Sequence, residues 1–166
     1  ESASSIHPNN EKRVIRALEI YLATGKKKSE FDRLSKEVES PYDATVAALT
    51  YSNRDILYSR INYRVDEMIK EGLIEETQSL LSEGVFEANK TAAQAIGYKE
   101  LFPYIDGRES LDFAVENLKQ ATRRYAKRQI TWFSAKDYVI PIEADGTEGQ
   151  KTFEKIVNNA KKVFSL

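Results

Sequence analysis

The sequence predicts an α/β fold that is predominantly helical, and two observations lead to this class. Apolar residues recur at helical spacing in several segments that begin at capping residues and end at glycines. Two short apolar segments, Thr45–Tyr51 and Tyr138–Ile142, have the composition of strands. The first is apolar throughout Val46–Leu49, which is typical of a strand buried on both faces of a parallel sheet. Two strands make a small sheet, so this one is expected to need partner strands from elsewhere.

The first half of the chain contains four predicted helices and a linker. Apolar residues between positions 14 and 22 share one helical face, and Gly25 ends that helix. A short helix and a linker occupy residues 26–43 and form a domain boundary. Asn53 caps the next helix, which ends at Gly72, and another follows directly and ends at Gly84.

The second half begins with a less regular segment. Thr91 opens a segment, residues 92–101, that Gly97 interrupts and that closes near Pro103 and Gly107. A glycine within a helix is unfavourable, so Gly97 either bends the chain or lets another group approach its backbone. Ser110 begins the longest helix, which runs to about Phe133. The last helix starts at the box Thr147-x-x-Gln150 and places Phe153 among its buried residues.

Composition excludes several classes of function. The chain has 166 residues, a formal net charge of -1, no cysteine and one histidine, His7. Disulfides, Cys/His zinc sites and thiol nucleophiles are therefore excluded within this sequence, and His7, a turn residue before Pro8, is assigned no role in catalysis. With neither an apolar run of about 18 residues nor a signal-peptide pattern, we expect a cytoplasmic protein. Because Glu1 is not methionine, we expect the chain to be part of a longer one.

The strongest local anomaly is the window Leu118–Lys136, which contains six cations and no acidic residue. At helical spacing the cations share one broad face, which would suit phosphates, while the opposite side would offer Leu118, Tyr125, Ile130 and Trp132 to a core. The alternative is a solvated helix face, although such faces normally mix both charge signs. The six cations are Lys119, Arg123, Arg124, Lys127, Arg128 and Lys136.

Three smaller clusters are also candidates for binding. Lys12, Arg13 and Arg16 could form a second wall against an RNA backbone or simply a charged surface. Arg60 and Arg64, at i and i+4, could clamp a diphosphate, or they could form ion pairs with Asp66, Glu67 or other neighbours. The stretch Gln94–Lys99 has the side chains to read a splayed base, with the alternative that Tyr98 belongs to the core.

Four segments together resemble bacterial tRNA dimethylallyltransferases, in the same order and with similar gaps, from about Ile6 to Phe133. They are IHPNNEKRVIRALEIYLATGK, LYSRINYRVDEMIKEGLIEE, QAIGYKELFPYIDG and ATRRYAKRQITWF. The resemblance implies part of a P-loop NTPase-like parallel-sheet core, residues 44–166, and the returning part of an inserted anticodon-stem-binding helical domain, residues 1–43.

The resemblance also implies an activity and its partners. Such enzymes transfer a dimethylallyl group from dimethylallyl diphosphate to the exocyclic amine of the adenosine that follows the anticodon, with magnesium. Their P-loop and general-base aspartate belong to the N-terminal half, so we expect this chain alone to be inactive and to hold no metal itself. We expect it to bind the tRNA anticodon stem-loop and to contact the diphosphate. The whole enzyme is expected to be a monomer with no membrane contact.

Residue by residue, the resemblance assigns two sets of contacts. Arg64, with Arg60 as the alternative, would contact the diphosphate at the catalytic centre. Ser134 stands where many relatives carry arginine, which puts a phosphate contact there in doubt. The residues assigned to tRNA are Lys12, Arg13, Val14, Ile15, Arg16, Gln94, Ala95, Ile96, Gly97, Tyr98, Lys99, Arg123, Lys127, Arg128, Gln129, Ile130, Thr131, Trp132, Phe133 and Ser134.

Two other functions compete with this interpretation. One is a stand-alone helical RNA-binding module whose basic helices provide affinity without chemistry. The other is a helical protein-interaction domain, which the single-sign charge of the window Leu118–Lys136 disfavours. Binding of diphosphate separates the first interpretation from these two, because only a transferase requires Arg60 and Arg64 to converge on one pocket.

Overall fold

A computed structural model describes residues 6–37, 41–42, 44–145 and 149–164. The chain forms two compact units, Glu1–Ala44 and Thr45–Leu166. No helix within these described ranges is long and apolar enough to span a bilayer.

The first unit contains two helices, α1 (Glu11–Thr24) and α2 (Lys28–Glu37). The side chain of Asn10 accepts a hydrogen bond from the backbone N–H of Arg13 at 3.3 Å and so caps the start of α1. Gly25 ends the helix in the left-handed region, with φ of 69°, and its N–H donates to the Tyr21 carbonyl. Both predicted helices of this unit are confirmed.

The second unit contains a parallel two-stranded sheet, β1 (Val46–Thr50) and β2 (Val139–Glu143). Val46 lies opposite Val139, and Thr50 lies opposite Glu143. Both predicted strands are confirmed, and β2 is one of the partners that β1 was expected to need. The burial of β1 on both faces is not seen in the described residues, where Leu49 is 52% exposed.

Six α-helices complete the described residues of the second unit. They are α3 (Arg54–Lys70), α4 (Leu73–Ser82), α5 (Val85–Ala88), α6 (Phe102–Ile105), α7 (Leu111–Ser134) and α8 (Gly149–Phe164). Asn53 and Ser110 cap α3 and α7 as predicted, by accepting hydrogen bonds from the backbone N–H groups of Asp55 and Phe113. The core of the unit is a buried cluster formed by Val65, Leu73, Leu101, Ala114 and Leu118.

The segment 92–101 is interrupted, as expected: Ala92–Gln94 makes a single 3-10 turn, and turns continue to α6. Gly97 is the reason, because its φ of 117° is incompatible with a helix, and no atom lies within 4 Å of the position a Cβ would take. It therefore bends the chain. In α8, Phe153 is 61% exposed instead of buried, and the predicted cap Thr147 lies outside the described residues.

Candidate functional site

The candidate site is built on a pair of packed helices, α3 and α7. Val65 of α3 and Leu118 of α7 are buried in their common core. Two cations of α7 fasten the pair: Lys119 Nζ lies 2.6 Å from Asp66 Oδ1, and Arg123 donates to Asn62 Oδ1 at 2.6 Å. Arg123 also contacts Glu116 at 2.8 Å. The relative positions of the two helices are therefore fixed by both apolar packing and charge.

These contacts correct the prediction that all cations of α7 share one open face. The side chains of Lys119 and Arg123 are only 18% and 22% exposed, and each has a carboxylate partner. Arg124, Lys127 and Arg128 are exposed. The geometry thus gives Lys119 and Arg123 a structural task and leaves the C-terminal half of the helix with free positive charge.

Beside this helix pair lies an open groove of about 1300 Å³, which we call the cationic groove. Four cations line it, and its described lining includes no carboxylate. The rest of the lining is mainly apolar and aromatic, including Val65, Met68, Ile96 and Leu118. The four cations are Arg60, Arg64, Lys99 and Arg128. An anionic group with an apolar tail is the ligand chemistry that such a lining fits.

Aromatic rings hold two of these four cations. The guanidinium carbon of Arg60 lies 5.9 Å from the centre of the Tyr51 ring, and that of Arg128 lies 5.5 Å from the centre of the Tyr125 ring. A ring attracts a cation without neutralising its charge. Neither guanidinium has a carboxylate within ion-pair distance in the described part of the chain. Their full charge is therefore available to a ligand.

The other two cations have weak carboxylate partners. Arg64 Nη1 lies 3.4 Å from Glu71 Oε2 in a pair whose side chains are 65% and 63% exposed, and Lys99 Nζ lies 3.8 Å from Glu100. The alternative of ion pairs is therefore met in part, because Arg64 pairs with a neighbour, Glu71, but not with either of the two carboxylates that were named. Asp66 binds Lys119, and Glu67 binds Lys70 at 2.7 Å.

The stretch Gln94–Lys99 contributes to the groove only in part. Gln94, Ile96 and Lys99 line it. Tyr98 packs its ring 5.2 Å from that of Phe86, and its hydroxyl donates to Glu76, which raises the pKa of Tyr98 above its usual value. This geometry favours the alternative that Tyr98 is a packing residue. Ala95 and the buried Gly97 form the bend between the lining residues.

The C-terminal part of α7 faces a second groove of about 510 Å³, which runs along β1 and is lined mainly by apolar residues. Gln129, Ile130, Phe133 and Ser134 line this groove, while Thr131 is exposed. The prediction that Tyr125 and Trp132 face a core was wrong. They are 47% and 55% exposed, and each ring contacts a cation: Tyr125 lies 5.5 Å from Arg128, and Trp132 lies 5.2 Å from Lys136.

The residues predicted on α1 belong to the other compact unit. Lys12, Arg13, Ile15 and Arg16 are exposed, and Arg16 pairs with Glu19 at 3.1 Å. Val14 lines a small cavity within that unit. This cluster and the cationic groove are thus features of separate units.

Sequence analysis did not identify Tyr51 as a site residue. It is the residue after β1, at the carboxyl end of a parallel strand, where ligand sites of α/β folds gather. That position is a signal which could have drawn attention to it. Its ring contact with Arg60 depends on the path of the chain between β1 and α3, which periodicity does not describe.

Comparison with known proteins identifies the family. The sequence profile of the IPP transferase family matches residues 1–136. The chain belongs to this family. The resemblance noted from its motifs is therefore confirmed.

Individual relatives agree with this assignment. The tRNA dimethylallyltransferase of Geobacillus thermodenitrificans is 53% identical over 157 residues, which is 94% of this chain and 48% of that protein. That of Caldanaerobacter subterraneus is 48% identical over 160 residues, 96% of this chain and 50% of that protein. The chain spans about half the length of these curated relatives.

Solved structures of IPP transferases share the fold. The tRNA delta(2)-isopentenylpyrophosphate transferase of Staphylococcus epidermidis matches with a TM-score of 0.68 and 45% identity, over 97% of this chain and 52% of that one. The full-length tRNA isopentenylpyrophosphate transferase of Bacillus halodurans matches with a TM-score of 0.68 and 42% identity, over 98% of this chain and 48% of that one. The predicted class, α/β with a majority of helix, is confirmed.

Proposed function

We propose that the whole protein to which this chain belongs transfers a dimethylallyl group from dimethylallyl diphosphate to the exocyclic amine of the adenosine following a tRNA anticodon. The names of the relatives support the reaction. The observation that carries the role of this chain is the convergence of Arg60, Arg64, Lys99 and Arg128 on one groove without a carboxylate in its described lining. Family membership disfavours the alternative of a stand-alone RNA-binding module.

In this proposal, Arg60 and Arg64 bind the diphosphate. They lie one helical turn apart on α3, so that both guanidiniums can reach oxygens of the same anion. The charge of Arg60 is not paired with a carboxylate, and Arg64 would leave its exposed ion pair with Glu71 to contact the ligand. The partly exposed apolar residues of the groove, among them Met68 and Ile96, fit the hydrocarbon part of a prenyl donor.

The same arginines would assist the chemical step. The amine nitrogen forms a bond to the first carbon of the prenyl group while the bond from that carbon to the diphosphate oxygen breaks. Both electrons of the broken bond stay with the diphosphate, and the amine proton passes to a base. Negative charge therefore grows on the leaving group in the transition state, and fixed guanidiniums stabilise it more than they stabilise the bound substrate.

The RNA contacts are proposed on exposed cations of both units. Arg124 and Lys127 lie on the open part of α7, Lys99 lies at the groove beside the amide of Gln94, and Lys12, Arg13 and Arg16 lie on α1. The cations suit the phosphates of an anticodon stem-loop, and the amide can donate or accept hydrogen bonds. We assign residues 1–43 to the anticodon-binding insertion and residues 44–166 to the transferase core, in a monomeric cytoplasmic enzyme.

Magnesium, which the resemblance implies, does not fit the cationic groove by itself. Its lining offers cations where a divalent metal requires carboxylate oxygens. In the described ranges, no group of three or more histidine, cysteine, aspartate or glutamate side chains could hold a metal ion. The roles of the arginines are therefore argued from their own charge.

Calorimetric titration of the 166-residue chain with inorganic pyrophosphate tests this proposal. We expect the parent to bind pyrophosphate and the double variant Arg60→Gln/Arg64→Gln to lose most of that affinity. Lys70→Gln is the matched control, because it removes one cation from α3 outside the groove. Binding of an anticodon stem-loop with no measurable binding of pyrophosphate would support the RNA-binding module instead.

A further inference from the structure

Tyr51 occupies a particular place beside the cationic groove. It follows Thr50, the last residue of β1, and lines both the cationic groove and the apolar groove along β1. Its ring centre lies 5.9 Å from the guanidinium carbon of Arg60. The ring is therefore the surface against which Arg60 rests at the edge of the groove.

The backbone that carries this ring is tied to the neighbouring strand. The next residue, Ser52, donates its backbone N–H to Asp145 Oδ2 at 2.9 Å, and its hydroxyl donates to the same oxygen. Ala144 N–H donates to the Thr50 carbonyl at 2.9 Å. Asp145 thus holds the turn between β1 and α3 to the carboxyl end of β2.

We propose that Tyr51 is a positioning residue for Arg60 and that Asp145 fixes the turn from which its ring projects. The inference rests on the proposed role of Arg60 in binding diphosphate. An arginine side chain has many rotamers, and binding is weakened when they must be frozen by the ligand. A ring restricts them in advance and leaves the charge intact, whereas a carboxylate would compete with the ligand for the guanidinium.

A simpler role for Tyr51 is apolar packing between the two grooves. The two roles differ in what happens when Arg60 is removed. If Tyr51 acts through Arg60, replacing the tyrosine matters only while the arginine is present. If Tyr51 only packs, its replacement has the same effect with or without Arg60.

A double-mutant cycle on pyrophosphate affinity separates these roles. The variants of the 166-residue chain are Tyr51→Leu, Tyr51→Phe, Arg60→Gln and the double variant Tyr51→Leu/Arg60→Gln. We expect Tyr51→Leu to weaken binding by about two- to fivefold, the range for an exposed cation–ring contact, and Tyr51→Phe to keep the parent affinity because it keeps the ring. In the Arg60→Gln background, Tyr51→Leu should have no further effect.

Two more variants complete the test. Tyr138→Leu changes a tyrosine that is 61% exposed and outside the groove lining, and it should leave affinity unchanged. Asp145→Ala should weaken binding in the same direction as Tyr51→Leu, and Asp145→Asn, which keeps one acceptor oxygen, should recover part of the loss. Thermal unfolding of every variant identifies any affinity loss that comes from a misfolded chain.

Three results would overturn the inference. Additive effects of Tyr51→Leu and Arg60→Gln would show a packing role. If Tyr51→Leu leaves affinity unchanged while Arg60→Gln clearly lowers it, Tyr51 has no positioning role, and the proposed function still stands. If the parent binds pyrophosphate and Arg60→Gln binds it equally well, both the assignment of Arg60 to the diphosphate and the positioning role of Tyr51 are wrong.

Discussion

The ion pair between Arg64 and Glu71 allows two variants with opposite expected effects. Arg64→Gln removes a cation from the groove, so affinity for pyrophosphate should fall. Glu71→Gln removes the carboxylate that lies 3.4 Å from that cation, so affinity should rise. A general disturbance of the helix would lower affinity in both variants, so opposite changes in affinity would point to the charge of Arg64 itself.

The magnitudes follow from exposure and geometry. The two side chains are 65% and 63% exposed, and such a pair contributes about 0.2–1 kcal/mol. Freeing Arg64 should therefore improve affinity by about 1.5- to 5-fold. For Arg64→Gln, the lost interaction is a hydrogen bond to a charged group, which contributes about 1.5–3 kcal/mol. Because the arginine is exposed, the lower end of this range applies, and affinity for pyrophosphate should fall about tenfold.

The assay is calorimetric titration with pyrophosphate at one fixed, low ionic strength, because salt screens exposed charges. Glu67→Gln is the matched control, since it makes the same charge change on α3 but releases Lys70, which does not line the groove. It should change affinity by less than twofold, the effect of a distant screened charge. Arg64→Lys keeps the charge without the planar fork, so it should recover part of the loss in Arg64→Gln.

The same variants can be followed in the reaction of the whole protein. There, loss of Arg64 should lower kcat more than it raises the KM for the prenyl donor, because charge on the leaving group grows in the transition state. Affinity for tRNA should remain near that of the parent. Equal pyrophosphate affinity in the parent, Arg64→Gln and Glu71→Gln would refute the assignment of Arg64 to the diphosphate.

Three further predictions concern RNA binding, stability and pH. Lys127→Ala should weaken binding of anticodon stem-loops across sequences, and salt titration should show the slope of log affinity against log salt reduced by about 0.7–0.9. An unchanged slope would mean that Lys127 belongs to a solvated helix face and contacts no phosphate. Ser110→Ala should lower the free energy of unfolding by about 1 kcal/mol in urea, with Ser110→Thr near the parent, because the side chain caps α7; equal stability would mean that the cap is replaceable. Tyr98, whose pKa is raised mainly by its hydrogen bond to Glu76, should stabilise the fold below pH about 10 and lose this contribution as pH rises through its folded pKa. Urea unfolding of the parent and Tyr98→Phe at pH 8 and at about pH 11 should therefore show a difference that shrinks at the higher pH, and a constant difference would contradict this linkage.

Local features of the structure could be predicted because they depend on neighbouring residues in the chain. The caps at Asn53 and Ser110 are hydrogen bonds to backbone groups two and three positions away. The i, i+4 spacing of Arg60 and Arg64 already places both on one side of a helix, and both line the groove. Motif order was enough to indicate the family that the profile match confirms.

Other features were left open or mispredicted where a local pattern had two possible outcomes. The sequence left open whether Gly97 bends the segment 92–101 or admits a close contact, and its positive φ shows that it bends the chain. Tyr125 and Trp132 have the apolar bulk of core residues, but partners to cover them do not lie on their side of α7 in the described residues, and both are exposed.

Tertiary structure decided which charges are free and which are paired. The sequence alone determined that the window Leu118–Lys136 is basic. Tertiary structure places Asp66 of α3 beside Lys119, and it places the side chain of Asn62 where Arg123, already paired with Glu116 of its own helix, donates a further hydrogen bond. The contact between Tyr51 and Arg60 likewise depends on how β1 leads into α3. Charge composition is a property of the sequence, but the neutralisation of each charge depends on distances of a few ångströms between segments, because ion-pair energies fall off with separation and with exposure to solvent.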